Sequence, residues 1–307
     1  MKKPNFFVVG AAKAGTTSLY NYLKEHPEVY LSPIKEPNYF NTEMKFEDFK
    51  EDIQKSIYFE FDKYFRKNKL EEKHFALIDK KKDYLELFRE VKQEKAIGEF
   101  STSYLSSQVA AAEIYKFNPK SKIIVMLREP IERTLSHYQM DLNKGFNLKN
   151  ILKDLENDYN SVNKGYCISN MYIDLSLYYD SIKRIFKIYP KEQVLIIRFE
   201  NFKKHTNAVV KEVCTFLEID NNTLEINSMN KIHNKTLVPR TRVIQYLLKV
   251  KRKFPNSMLG HVKWLKKFFF KKPDRNEISG EVKMYIEGII GDDYKKTNIL
   301  IKDYYAS

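Results

Sequence analysis

The sequence is poor in cysteine. Of its 307 residues only Cys167 and Cys214 are cysteines, and neither has a second cysteine or a histidine at metal-ligand spacing. Two isolated cysteines exclude a disulfide framework and a zinc site of the usual spacing. The six histidines are scattered along the chain. We therefore predict neither disulfide bonds nor a metal centre.

Long hydrophobic runs are also missing. A helix that crosses a bilayer needs about 18 or more consecutive apolar residues, and the longest apolar stretches here, residues 6–10, 123–127 and 194–197, have only the length of buried strands. Residues 1–5 lead directly into the first stretch without the pattern of a signal peptide. We expect a soluble, cytoplasmic protein.

The chain does contain enough apolar material for a folded core. Hydrophobic residues make up 43% of the sequence and aromatic residues 14%, which excludes intrinsic disorder. The length would allow two domains, but α/β enzymes often build one sheet from this many residues. We predict a single domain over residues 1–307.

The positive charge is concentrated in one late segment. The net charge is +14, and residues 240–275 alone contain twelve basic residues and one acidic residue, a local charge of +11. Apolar residues interleave with these cations, which indicates one or two basic amphipathic helices. Two interpretations stay open: a helix packed on the core with solvated lysines, or a surface that contacts an anionic glycan or the inner face of a membrane. We expect no nucleic-acid partner.

Strand-like segments alternate with helix-like segments. The strand-like segments are continuously apolar, which indicates an α/β fold with a mainly parallel sheet covered by helices on both faces. The predicted strand and helix pairs are residues 6–9 and 18–25, 97–99 and 109–115, 122–127 and 131–142, and 194–199 and 207–217. Residues 45–94 are expected to form helices over the sheet edge. Ligands of such sheets bind at the carboxyl ends of the strands, so the loops there are the candidates for chemistry.

The first of these loops has the composition of a phosphate cradle. Residues 10–18 read Gly-Ala-Ala-Lys-Ala-Gly-Thr-Thr-Ser between a strand and a helix, and backbone N–H groups at such a helix start bind anions. A nucleoside-triphosphate loop has Lys directly after its second Gly, whereas here Thr16 holds that position and Lys13 lies inside the loop. A P-loop kinase dependent on ATP and magnesium is one alternative, and a non-catalytic anion- or membrane-binding protein is another.

The loop resembles the 5′-phosphosulfate loop x-x-K-[AST]-G-T-[ST] of sulfotransferases that use 3′-phosphoadenylyl sulfate (PAPS). The resemblance implies a P-loop-like three-layer α/β fold, a bacterial-type sulfotransferase domain, and PAPS as the sulfuryl donor without a metal. The donor-binding residues that it implies are Lys13, Ala14, Gly15, Thr16, Thr17 and Ser18.

A second segment is similar to the 3′-phosphate motif of the same family. Residues 127–138 match [LI]-R-[DE]-P-x-x-R-x-x-S-x-[YFW] at every fixed position. By this resemblance Arg128 and Ser136 bind the 3′-phosphate. A cation such as Arg128 at the end of a buried strand is costly unless it meets an anion. Arg133 could equally be a structural partner of Glu129 on the i, i+4 face of a helix.

The candidate catalytic carboxylate is Glu36. Sulfuryl transfer needs a base for the acceptor proton and a cation for the leaving phosphate, roles that suit Glu36 and Lys13. The string K-E-P-x-[YF]-F at residues 35–40 resembles the carbohydrate branch of the family, including the heparan-sulfate enzymes, in which a Glu at this position is the base. We therefore predict transfer to a hydroxyl or amine, with a glycan or glycolipid as acceptor, and we place Lys35 on the acceptor side.

Two further segments complete the resemblance. Residues 98–104 are similar to the acceptor-side segment G-E-x-[ST]-P-x-Y except that the usual Pro is absent, which implies that Ser101 and Tyr104 contact the acceptor. Residues 230–240 resemble the late loop that closes over the nucleotide, which implies phosphate contacts for Lys235 and Arg240.

Overall fold

A computed structural model gives the fold. It describes residues 2–49, 51–144, 146, 150–166, 168–221, 238–239, 270–271 and 279–307. Of the basic segment 240–275, only residues 270–271 fall within these ranges, so the prediction of amphipathic helices there lies outside the described residues. No helix of the described chain is both long enough and apolar enough to span a bilayer.

The described elements alternate between strands and helices. The strands are β1 (Phe6–Gly10), β2 (Val29–Leu31), β3 (Ile34–Glu36), β4 (Lys73–Phe75), β5 (Ala96–Phe100), β6 (Lys122–Leu127), β7 (Val194–Arg198), β8 (Val238–Pro239) and β9 (Phe270–Lys271). The helices are α1 (Thr16–Lys24), α2 (Glu51–Ile57), α3 (Phe61–Phe65), α4 (Lys81–Glu86), α5 (Ala110–Phe117), α6 (Pro130–Asn143), α7 (Ile151–Tyr159), α8 (Tyr179–Ile188), α9 (Phe199–Lys204), α10 (Thr206–Phe216) and α11 (Gly280–Ala306).

Five strands form one sheet in the order β2-β5-β1-β6-β7. Every neighbouring pair in this sheet is parallel, so β1 at the centre has its carboxyl end beside those of β5 and β6. The predicted α/β class with a mainly parallel sheet is confirmed. Separately, β3 and β4 form a short parallel ribbon, and β8 pairs with β9 in the antiparallel sense.

Helices cover both faces of the sheet. On one face Tyr20 of α1 packs edge-on against Phe100 of β5, with ring centroids 5.2 Å apart. Phe100 pairs with Val8 of β1, and successive residues of a strand point to opposite faces of the sheet. Phe7 therefore points to the other face. There Phe7 contacts Phe40, which in turn contacts Phe117 of α5. The predicted three-layer arrangement follows from these contacts.

The long helix α11 anchors a second, smaller core. Its buried residues Val282, Ile286 and Ile290 cluster with Leu135 of α6 and Leu155 of α7. Near its end, the ring of Tyr304 stacks on Phe186 of α8 at 3.6 Å. Helix α6, which follows the second candidate loop, is therefore held by apolar contacts on the side away from the sheet.

The predicted element boundaries agree with the structure to within two residues for the four strand and helix pairs. One difference concerns residue 199, predicted as the end of a strand, which instead begins α9 directly after β7. In residues 45–94 the structure has the expected helices α2, α3 and α4, but also β4, which the sequence did not indicate.

Candidate functional site

The first loop connects β1 to α1 and leaves the start of that helix open to an anion. Gly15 caps α1 at φ +89°, and no side chain caps the helix or places an acid in its first turn. A Cβ at Gly15 would lie 2.8 Å from Cδ2 of Phe199, so both the backbone conformation and the close approach require glycine. The first N–H groups of a helix lack intrahelical partners and carry positive partial charge, which favours phosphate or sulfate here.

Lys13 adds a full positive charge to this loop. Burial lowers the pKa of Lys13 to about 8, with further lowering by the nearby cations Lys144 and Arg128 and an opposing effect of Asp141. At neutral pH the ammonium is therefore still largely protonated. A cation held among other cations gains more from an arriving anion than an exposed lysine does.

Arg128 connects the second loop to the first. It follows β6, and its Nη1 donates a hydrogen bond to the backbone oxygen of Lys13 at 3.1 Å. Its Nη2 lies 3.2 Å from Oε2 of Glu132, and its guanidinium sits over the ring of Phe199 at 4.9 Å. Ser136 lies two turns further along α6 at a buried position. The structure thus brings together the two loops that the sequence assigned to two phosphates.

The start of α6 explains Glu129 and Arg133. The Glu129 carboxylate caps the helix, accepting from the N–H groups of Ile131 and Glu132. Arg133 is fully buried, and it donates through Nε to Oγ of Ser176 at 2.6 Å and through Nη2 to a backbone oxygen. Burial lowers the pKa of Arg133 to about 10. Arg133 thus fastens α6 to the segment of Ser176, whereas the carboxylate of Glu129, its alternative partner by sequence, caps the helix.

Glu36 ends β3 with both of its carboxylate oxygens engaged. Lys35 Nζ lies 2.8 Å from Oε1, and Thr102 Oγ1 donates to Oε2 at 3.3 Å. The Glu36 side chain is 15% exposed and that of Lys35 only 6%. The prediction that Lys35 lines the acceptor side is therefore not supported by its position. Its ammonium orients Glu36 instead.

Two hydrogen bonds of the loop after β5 hold Glu36 beside the first loop. The N–H of Leu105 donates to the oxygen of Val9 at 2.8 Å, which fastens this loop to the end of β1. Thr102, three residues earlier, carries the hydroxyl that reaches Glu36. Glu36 and the Lys13 loop are thus tied to the same edge of the sheet.

Ser101 and Tyr104 are buried, and their hydroxyls are hydrogen-bonded within the protein. Ser101 is fully buried and Tyr104 is 2% exposed. The Ser101 hydroxyl donates to Oε1 of Glu99 at 2.6 Å and accepts from the N–H of Asn38, while the Tyr104 hydroxyl accepts from the N–H of Phe40. Their predicted contact with an acceptor is not supported, because these hydroxyls hold the segment that follows Glu36.

Glu99 is a buried carboxyl at the centre of this network. The Tyr84 hydroxyl donates to Oε2 at 2.6 Å, and Ser101 donates to Oε1. Burial raises the pKa of Glu99 to about 7 even though its hydrogen bonds to Ser101, Tyr84 and Tyr104 act in the opposite direction. The sequence placed Glu99 in a motif without indicating this role.

Asn38 fixes the backbone around Glu36. It adopts φ +54°, and its Nδ2 donates to the oxygens of Glu36 at 2.8 Å and Ala76 at 3.1 Å. Its Oδ1 accepts from Ser103 Oγ at 2.7 Å. The Ser103 hydroxyl thus links the loop after β5 to the segment that follows β3. Its neighbour Thr102 stands where the family pattern has Pro, and the Thr102 hydroxyl donates to Glu36.

The remaining predicted residues divide into two groups. Ala14, Thr16, Thr17 and Ser18 lie at the junction between the first loop and α1, as expected. Lys235 and Arg240 lie outside the described residues. Within the described chain, no cluster of three or more His, Cys, Asp or Glu side chains is arranged to hold a metal ion.

Comparison with known proteins identifies the class. Residues 4–223 match the model of the sulfotransferase family, and the chain belongs to that family. The predicted family is confirmed, with carbohydrate sulfotransferases among the similar proteins.

Two curated relatives illustrate the similarity. The membrane-associated sulfotransferase kil1 of Dictyostelium discoideum is 29% identical over 141 residues, which cover 45% of this chain and 23% of that protein. Carbohydrate sulfotransferase 15 of Mus musculus is 27% identical over 179 residues, which cover 44% of this chain and 27% of that protein. The chain thus spans about a quarter of the length of these relatives.

A solved structure shows the same fold over nearly the whole chain. A sulfotransferase from Alicyclobacillus acidocaldarius superposes with a TM-score of 0.68 at 24% identity, covering 98% of this chain and 97% of that one. At this identity the likeness concerns the fold.

Proposed function

We propose that the protein transfers a sulfuryl group from PAPS to a hydroxyl or amine of a carbohydrate acceptor, a glycan or a glycolipid. The observation that carries the proposal is the hydrogen bond from Arg128 to the backbone of Lys13, which joins two anion-binding loops at one edge of the sheet. A donor with a phosphosulfate and a separate 3′-phosphate matches two such loops, with no metal required.

The donor-binding roles follow from the two loops. Lys13, Ala14, Gly15, Thr16, Thr17 and Ser18 hold the 5′-phosphosulfate through the helix start and the Lys13 ammonium. Arg128 and Ser136 hold the 3′-phosphate. Lys235 and Arg240 stay predicted phosphate contacts.

The transfer itself needs a base and a cation on opposite sides of the sulfur. The acceptor oxygen or nitrogen forms a bond to sulfur, its proton passes to Glu36, and the bond from sulfur to the 5′-phosphate oxygen breaks. Lys13 stabilises the charge that develops on the leaving phosphate. Lys35 and Thr102 hold the two oxygens of Glu36 in place during this step.

Calorimetric titration with 3′-phosphoadenosine 5′-phosphate (PAP), the nucleotide product, tests the donor assignment. We expect binding of PAP without magnesium and no comparable binding of ATP with magnesium. Absence of PAP binding contradicts the proposal. The kinase alternative predicts the opposite preference, and the family match gives it no support.

The proposed location and membrane contact rest on the charge of one segment. We propose a cytoplasmic protein that contacts the inner membrane face through residues 240–275, because that segment carries a charge of +11. A similar protein is called membrane-associated. Co-sedimentation should show binding to vesicles with phosphatidylserine but not to phosphatidylcholine vesicles, and a variant lacking residues 240–275 is the control. Equal sedimentation with both lipids contradicts this proposal.

A further inference from the structure

The residues predicted to meet the acceptor are buried, so a more exposed side chain is needed at the accessible border of the site. Lys35, Ser101 and Tyr104 are each at most 5% exposed, and each is hydrogen-bonded inside the protein. Their polar atoms support the base and the segment that carries it. The acceptor side needs a polar group that is both near Glu36 and open to solvent.

His74 occupies such a position on the β3–β4 ribbon. The parallel register pairs Ile34 with Lys73 and Glu36 with Phe75, so His74 lies beside Lys35. Facing residues of neighbouring strands project to the same side of a sheet. Unlike Lys35, His74 is exposed. His74 therefore shares a face of the ribbon with Lys35, whose ammonium contacts Glu36, and its own side chain is open to solvent.

The charges that act on His74 belong to β3, the first loop and the residue that follows α6. The groups are Glu36, Lys35, Lys144 and Lys13. Partial burial lowers the pKa of His74, the Glu36 carboxylate opposes this, and the three ammonium groups add to the lowering. At neutral pH the imidazole is uncharged, with one nitrogen that donates a hydrogen bond and one that accepts.

We propose that His74 is an acceptor-binding residue, whose imidazole forms a hydrogen bond with a hydroxyl or amine of the acceptor beside Glu36. This inference rests on the proposed function. A neutral ring with both a donor and an acceptor nitrogen suits a sugar hydroxyl, which can serve as either partner. The Lys35 ammonium, already bonded to Glu36, is not placed to do this. The competing explanation is a solvated histidine on the ribbon without a role in binding.

Steady-state kinetics with His74 variants tests the proposal. Labelled PAPS would be combined with a panel of heparosan oligosaccharides, chondroitin oligosaccharides and p-nitrophenyl β-galactoside. Loss of one hydrogen bond in His74→Ala should raise the KM for the best acceptor by about tenfold, with PAP affinity unchanged within about twofold. His74→Gln, which keeps a donor and an acceptor, should recover part of the loss.

The matched control is Lys73→Gln, on the same strand. The Lys73 ammonium faces Glu71 at 3.9 Å, so this variant should keep the wild-type KM. An unchanged KM in His74→Ala, or an equal rise in Lys73→Gln, overturns the proposal. If wild type binds PAP and sulfates an acceptor, and His74→Ala has the same KM, the proposed function stands and only the role of His74 fails.

A measurement that needs no acceptor accompanies the kinetics. The imidazole resonance of His74, assigned by its loss in His74→Gln, would be titrated with pH in the free protein and with bound PAP. Phosphate placed at Lys13 should raise the pKa of His74 by offsetting the nearby ammonium charge. If no panel member is sulfated, this titration decides, and an unshifted resonance with PAP bound overturns the proposal. If wild type does not bind PAP, the proposed function and this inference both fail.

Discussion

Lys13 links the pH of the solution to donor affinity. Its pKa of about 8 in the free protein means that the ammonium becomes neutral in mildly alkaline solution. An anion bound beside it favours the charged form and raises this pKa. Binding of the nucleotide should therefore be strongest where Lys13 is protonated and should weaken as the pH rises through 8.

Calorimetry at several pH values checks this expectation. The Kd of PAP should rise between about pH 7.5 and pH 9.5. In Lys13→Met the affinity should be lower by about ten- to a hundredfold, the usual effect of losing a charged hydrogen bond, and this part of the pH dependence should vanish. Parallel pH profiles of the two proteins contradict the assigned role of Lys13.

Glu99 should couple pH to stability. Its pKa is raised from an ordinary value of 4.5 to about 7 by burial, so the folded chain binds this proton more tightly than the unfolded chain. The stabilisation is complete below about pH 4.5 and is lost as the pH rises through 7. By the size of the shift the effect is on the order of 3 kcal/mol.

Urea unfolding of Glu99→Gln measures this effect. The amide can still accept from Ser101 or Tyr84, but it does not ionise. The free energy of unfolding of the variant minus that of wild type should rise by roughly 3 kcal/mol between pH 4.5 and pH 8. A difference between the two proteins that stays constant with pH shows that Glu99 does not titrate as described.

At the scale of elements, the junction between the first loop and α1 is tightly constrained. Gly15 has φ +89°, and a Cβ at this residue would lie 2.8 Å from Cδ2 of Phe199. Gly15→Ala should lower the free energy of unfolding by about 1–3 kcal/mol and weaken PAP binding, because the N–H groups of the helix start would shift.

A double variant separates the two causes. Gly15→Ala with Phe199→Ala removes the ring contact but keeps the unfavourable φ, so it should recover only part of the stability relative to Phe199→Ala alone. Full recovery would mean that the close contact alone requires glycine at this position. Wild-type PAP affinity in Gly15→Ala contradicts the placement of the donor at this loop.

Elements with strong local signals were predictable, and elements with weak ones were not. The buried strands β1, β5, β6 and β7 are runs of apolar residues, and their helices show amphipathic spacing. In contrast, β4 is the three-residue segment Lys-His-Phe, with two exposed positions, and only its pairing with β3 makes it a strand. Helix α11 was not among the predicted helices, and it contains Gly288 and Gly291, which weaken helix propensity.

The direction of side chains was the least predictable feature of the site. The sequence located Lys35, Ser101 and Tyr104 in the right segments, but a motif does not say whether a side chain turns toward solvent or core. Lysine is rarely buried without a partner, and Lys35 is buried because its ammonium meets Glu36. His74 was not singled out because β4 was not predicted.

At the scale of the whole molecule, the parallel sheet gathers the site from distant parts of the chain. The ends of β1, β5 and β6 lie side by side, and the hydrogen bonds of Arg128 and Thr102 join their loops to Lys13 and Glu36. These few groups supply the local charge that the reaction needs. Most of the net charge of +14 belongs to residues 240–275.

The most direct test of the account is transfer of ³⁵S-labelled sulfate from PAPS to the glycan panel by wild type and Glu36→Gln. Wild type should label an acceptor. Glu36→Gln should lower turnover by about a hundredfold or more, the usual contribution of a general base, while its PAP affinity stays within about twofold of wild type. Full activity in Glu36→Gln contradicts the central claim. The claim is also contradicted if wild type binds PAP but labels no member of a broad panel of hydroxyl and amine acceptors.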